Sequence, residues 1–148
     1  MKTYIHYGSN RFDKFFMIST CHGDKMKNLY RNKPGYGLWA SPTDTDWGWK
    51  DWCESEDYGD LSSSFTFSLK DDAKILVVNR TEDVEDYILF DPDRYWTYKL
   101  DFERIMDEYD GMELIHGNNY SELHDCGFYT WDCDSVCIWN PEVIINVR

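Results

Sequence analysis

Positive charge is scarce in this chain. Its 148 residues carry 15 Lys and Arg against 28 Asp and Glu, a formal net charge of -13. Proteins that grip nucleic acid through many phosphates draw affinity from Lys and Arg that displace condensed counterions, and these cations form no obvious cluster for that purpose. Long apolar runs are missing too: a bilayer-spanning helix needs about 20 consecutive apolar residues, and no run approaches that length. The segment Met1-Lys2-Thr3-Tyr4-Ile5-His6 lacks the apolar middle of a secretion signal, so a cytoplasmic protein without membrane contact is expected. The five cysteines (Cys21, Cys53, Cys126, Cys133, Cys137) are odd in number and form no CxxC pair. A structural zinc site ordinarily shows a close ligand pair, so reduced, partly buried thiols and no metal are expected. No linker, low-complexity segment or repeat interrupts the chain, and residues 1–148 read as one domain.

Aromatics, by contrast, are plentiful: seven Trp, eleven Tyr and eight Phe make up 18% of the chain. A disordered acidic segment is poor in such rings, and a chain of this length buries roughly 68–70% of its unfolded surface. A folded domain follows. Strands are expected at Thr3–Tyr7, Gly37–Ser41 ended by Pro42, Phe65–Leu69, Lys74–Val78, Met112–Ile115, Ser135–Trp139 and Glu142–Val147, from apolar alternation or short apolar runs bounded by Gly, Pro and Asn. Short helices are expected over Trp47–Cys53 behind the Thr43-Asp44-Thr45-Asp46 cap, from Thr81 to about Leu89, and over Leu100–Glu108. Several short strands with few helices and no regular βαβ alternation indicate an α+β fold.

Three separated segments each place a polar group beside an aromatic at a strand end: His6-Tyr7-Gly8-Ser9, Gly37-Leu38-Trp39-Ala40-Ser41, and Trp131-Asp132-Cys133-Asp134-Ser135 continuing to Trp139. A pocket for a flat, polar ligand needs this mixture, rings to sandwich it and a few groups to orient it.

In order and type these segments resemble the ADP-ribosyltransferase superfamily, on the side of the poly(ADP-ribose) polymerases and diphtheria-like toxins. The resemblance implies a small split, mixed or antiparallel sheet with short flanking helices, and NAD as the donor substrate. It implies release of nicotinamide and transfer of ADP-ribose to a macromolecular acceptor, protein or nucleic acid, in the setting of a toxin or conflict effector. Carried over residue by residue, His6 donates to a ribose hydroxyl and the backbone of Tyr7 or Gly8 orients the carboxamide, with Ser9 closing that segment. Trp39 or Tyr36 stacks on the nicotinamide and Ser41 adds a hydrogen bond. Asp134 is the catalytic acid, with Asp132 and Glu113 as alternatives. The sequence departs from the family twice: Tyr7 splits the usual His-Gly pair, and aspartate stands where glutamate is usual. Because NAD is an anion in an anionic chain, a local cation is required, and Arg11, Arg31 and Lys33 lie nearest in sequence to the first two segments.

Other features are assigned to structure. Strand parity places Asp132, Asp134, Val136 and Ile138 on one face. Glu113 reads as a solvent-facing strand residue, and the spacing of Trp47, Trp49 and Trp52 leaves at least one ring exposed or against a loop. His22, His116 and His124 have no ligand-like spacing. A second functional class also fits the charge of -13: an acidic decoy whose carboxylates imitate phosphates on the nucleic-acid-binding surface of a partner.

Overall fold

The computed structural model describes residues 1–13, 32–34, 36–89 and 99–148. In chain order the strands are β1 (Thr3–Tyr7), β2 (Leu38–Pro42), β3 (Ser64–Leu69), β4 (Ile75–Val78), β5 (Ile88–Leu89), β6 (Lys99–Leu100), β7 (Gly111–Leu114), β8 (Ser135–Ile138) and β9 (Ile144–Ile145). Seven of them form a sheet in the order β4-β7-β8-β2-β1-β3-β9, and β5 pairs with β6 alone. Every neighbouring pair of the large sheet is antiparallel except β4 and β7. The result is a mixed α and β fold built on a curled, mostly antiparallel sheet with a few short helices.

Both faces of the sheet are covered. On one, Val78, Met112, Leu114 and Cys137 pack with helical residues such as Phe102, Ile105 and Leu123. On the other, Tyr4, Phe65, Phe67, Val136 and Ile138 pack with Val143. The interior strand β8 is buried at all four positions, as expected of a strand with apolar neighbours on both sides. Gly37, at φ 143°, leads into β2 beside it; a Cβ there would lie 2.6 Å from the Cys137 sulfur and 2.9 Å from the Ile138 carbonyl oxygen.

The helices are α1 (Trp49–Glu56), α2 (Phe102–Glu108) and α3 (Tyr120–Leu123), and local chemistry shifts several of them from expectation. α1 begins two residues later than Trp47 because Gly48 is its N-cap: the Asp51 carboxylate accepts the Gly48 N–H at 2.8 Å, and the Ser41 hydroxyl accepts the Trp49 N–H at 2.9 Å. The first-turn donors are thus satisfied partly by the end of β2. α2 begins after Leu100, capped by the Asp101 carboxylate, which accepts the Arg104 N–H at 3.2 Å. The helix expected from Thr81 to Leu89 is instead a 3₁₀ helix over Thr81–Tyr87 followed by β5. Val84 and Tyr87, three apart, are its buried residues, which suits a period of three residues per turn. The expected strand Glu142–Val147 is a 3₁₀ turn, Pro141–Val143, and the two-residue β9. Asn146 at φ 53° interrupts it, and Arg148 resumes pairing with Thr66 through two backbone hydrogen bonds. α3 and the kinked turn His124–Phe128 behind it, bent at Gly127 (φ 112°), lie where no helix was expected.

Candidate functional site

β1 and β2 separate where the candidate segments meet. Their register pairs Tyr4 with Pro42 and Ile5 with Ser41. At the next residue the His6 ring spans the gap, donating its Nδ1–H to the Trp39 carbonyl at 2.7 Å. A carbonyl only accepts, so Nδ1 carries the hydrogen, and in the neutral ring Nε2 is an acceptor. Burial holds the imidazole below its ordinary value despite the Trp39 carbonyl, which favours that neutral form at pH 7. His6 therefore offers Nε2 to a hydroxyl donor, the reverse of the donor role read from the sequence.

A cavity of about 330 Å³ opens at this gap, lined by His6, Tyr7, Trp39 and Ser41 among the anticipated residues. Asp132, the alternative acid, Lys33, one of the anticipated cations, and Trp131 of the third segment line it too, and the structure adds Trp49. Trp131 meets Trp39 edge to face at 4.8 Å between centroids, and its indole N–H is fixed on the Asn32 carbonyl at 2.8 Å. Trp49 stacks on Trp52 at 5.0 Å. The walls are therefore large rings held from behind. A groove of about 300 Å³ adjoins the cavity and shares Ile5, Tyr7, Ser41 and Trp49 with it.

Not every anticipated residue reaches the cavity. Gly8, at φ 106°, donates its N–H to the Ser63 carbonyl at 2.9 Å, and the Ser9 hydroxyl is used in a turn with Arg11; neither lines the cavity. Tyr36 packs against the helical core instead of lining the cavity. Ser41 lines it, but its hydroxyl already accepts the Trp49 N–H and donates to the Asp134 carbonyl at 2.8 Å. Ser41 is thus a tie between β2, α1 and the approach to β8. Ser41→Ala leaves both partners unsatisfied and is expected to lower stability by about 2 kcal/mol, read as a lower urea midpoint at unchanged slope.

The two aspartates diverge. β8 starts at Ser135, and Asp132 to Asp134 precede it without strand geometry, so period-two parity does not extend back to them. Asp132 lines the cavity, whereas Asp134 lines a separate cleft. Burial pushes the Asp132 carboxyl up, against the attraction of Lys33 and His116. The Asp134 carboxyl feels burial too, but the His116 ring, the Thr45 hydroxyl and the His116 backbone N–H outweigh it and hold the group below the usual carboxylate range. Those contacts are 3.1, 2.6 and 2.8 Å long. The second ring nitrogen of His116 faces the Trp131 carbonyl at 2.9 Å. His116 and Asp134 thereby brace the 131–134 segment on either side of Asp132.

Glu113 is not solvent-facing: it is 2% exposed, accepting the Tyr4 hydroxyl at 2.8 Å and the Lys2 ammonium, so it belongs to the fold and not to the cavity. The cavity thiol Cys133 is pushed up to about 11 by burial, too high for a thiolate nucleophile near neutrality. Cys53, Cys126, Cys133 and Cys137 are buried. Among the described residues no three His, Cys, Asp or Glu converge as a metal site, and no helix is long and apolar enough to cross a membrane. Of the anticipated cations, Lys33 lies in the cavity wall with its ammonium 5.5 Å from the Trp39 ring centroid. Arg11 is exposed and outside the wall, and Arg31, with His22 and Cys21, lies outside the described residues.

No family model, curated protein or solved structure matches this chain. What the site can do is therefore read from its residues. Three indoles line the cavity, the neutral His6 ring offers an acceptor nitrogen, and Asp132 and Lys33 put a carboxylate and an ammonium in the same wall.

Proposed function

We propose that this chain is an NAD-dependent ADP-ribosyltransferase with an ADP-ribosyltransferase-like sheet, acting on a macromolecular acceptor. The observation that carries the reading is the neighbourhood β8-β2-β1, which draws residues of three segments far apart in sequence around one aromatic cavity. In this reading the nicotinamide lies among Trp39, Trp49 and Trp131, and the backbone at Tyr7 meets its carboxamide. His6 Nε2 accepts a ribose hydroxyl, Lys33 in the cavity wall is the cation for the nearer phosphate, and the rest of the dinucleotide runs along the adjoining groove. Asp132, rather than Asp134, is the acid. As the bond between nicotinamide and ribose breaks, nicotinamide keeps the electron pair and leaves neutral, and positive charge builds on the ribose. A fixed carboxylate in a partly dry site stabilises that charge. The acceptor's nucleophilic atom then bonds to the ribose carbon and gives up a proton.

NAD is expected to raise the melting temperature, free nicotinamide to appear on incubation, and label from adenine-labelled NAD to become attached to macromolecules of a cell lysate. Stabilisation without nicotinamide release would reduce the domain to an NAD-binding module. Absence of both would remove the reading.

A further inference from the structure

A second cleft, about 550 Å³, lies at the other side chain of the 131–134 segment, where Asp134 points. Its size falls within the roughly 300–1,000 Å³ of small-ligand sites. Two large rings line it and remain open: Trp47 is 40% exposed and Tyr120 is 51% exposed. Trp47 is also held in place, its indole N–H donating to the Asp132 carbonyl at 3.0 Å while its own carbonyl accepts the Asp134 N–H at 3.0 Å. Tyr120 is backed by the His116 ring at 5.2 Å. Exposed aromatic faces fixed by their edges cost little further ordering when a ligand stacks on them.

The charges in the cleft fall into two groups. Lys2 is matched by Glu113, and the Asp134 carboxylate is occupied by His116 and Thr45. Asp44 and Asp46 are exposed, and among the described residues neither has a hydrogen bond or ion pair. The surplus charge is therefore two carboxylates next in sequence to an open indole. A phosphate, nucleic acid or anionic lipid is repelled by them and by the chain's -13. A guanidinium is suited to the combination: it is planar, weakly hydrated, stacks on aromatic faces and offers several N–H donors to carboxylates.

We propose that this cleft receives an arginine side chain of a protein partner, its guanidinium laid on the Trp47 ring and bonded to Asp44 and Asp46. The net charge steers a basic partner toward the molecule over a longer range. The proposal concerns residues outside the cavity and is read by binding alone, so it stands or falls independently of NAD turnover.

The test is titration with a capped Gly-Gly-Arg-Gly-Gly peptide, followed by the Trp47 indole N–H resonance, which is assigned from its loss in Trp47→Phe. A saturable shift is expected in the millimolar range. The citrulline peptide, the same shape without the charge, is expected to bind at least tenfold more weakly, and the lysine peptide more weakly than arginine. Asp44→Asn/Asp46→Asn, which disturbs no internal hydrogen bond, is expected to weaken arginine binding at least fivefold at unchanged melting temperature. Binding is also expected to fall with added salt, because these charges are exposed. Equal binding of arginine and citrulline peptides, equal binding of arginine and lysine peptides, no saturable shift of Trp47, or indifference to the double substitution would each overturn the proposal.

Discussion

Asp132→Asn is expected to lower nicotinamide release from NAD by about a hundredfold, the usual scale for removing one group that stabilises developing charge. Asp132 lines the cavity, and asparagine keeps its size while removing the negative charge that the proposed reaction sets against the ribose. NAD affinity is expected to change less than threefold, because the rings, Lys33 and His6 remain; the loss then falls on turnover rather than on binding. The melting temperature is expected to stay level or rise slightly. Burial raises the Asp132 carboxyl, so folding disfavours its charged form and asparagine removes that cost. In the proposed reaction the same shift is expected to set the acid limb of the wild-type rate: activity is expected to fall as Asp132 takes up a proton, at a pH above the ordinary aspartate value of about 3.9, and the variant's residual rate to lack that limb. Should Asp134→Asn, folded, lose far more turnover than Asp132→Asn, the acid would be Asp134, and the cavity would not be the reacting site.

The resemblance, which sets the acid at the start of a late strand, put Asp134 first, and alternation set Asp132 on the same face. Alternation is a reliable guide inside a strand: Phe65-Thr66-Phe67-Ser68-Leu69 reads as a strand and lies in β3, while the continuous apolar run Ile75 to Val78 forms β4. Val136 and Ile138 do share a core on one face, with Cys137 on the other. Carried past Ser135 into the turn, the same alternation put Asp132 and Asp134 together, and the turn sends them to different pockets. The three site segments were legible because each keeps its ring and its polar group within a few residues, and the sheet order then brings them together. Trp49 and Trp131 were harder to see as cavity walls, since nothing local tells a ring that faces ligand from one that packs. Their roles depend on Ser41 anchoring α1 and on Asn32 anchoring the Trp131 indole, contacts that cross 8 and 99 residues. Glu113 was misread for a related reason: Met112-Glu113-Leu114 alternates like a half-solvated strand, and only long-range pairing explains a carboxylate there.

Lys2→Met is accordingly expected to be among the most destabilising single changes on the outer part of the molecule. Glu113 lies on β7 between Val77 of β4 and Val136 of β8 in register, with its side chain 3% exposed and that of Lys2 40% exposed. Removing the ammonium leaves the buried carboxylate with the Tyr4 hydroxyl as its remaining partner. Burial and then the Glu113 charge hold that hydroxyl well above the ordinary tyrosine range, so Tyr4 stays a donor and supplies no charge. Breaking a buried pair costs roughly 3–5 kcal/mol, and the partial exposure of Lys2 puts the expected loss at the low end, about 3 kcal/mol. At about 2–4 °C per kcal/mol for a chain of this size, the melting temperature falls by about 6–12 °C. The triple variant Lys2→Met/Tyr4→Phe/Glu113→Leu removes the charges and the hydroxyl together, so no buried polar group is stranded, and apolar replacement of buried ion pairs is commonly neutral or stabilising. It is expected to recover most of the loss, to within about 1 kcal/mol of the parent. A single variant as stable as the parent would mean that water, not Lys2, satisfies Glu113. A triple variant no better than the single would mean that the carboxylate organises β7 and β1 beyond its charge balance.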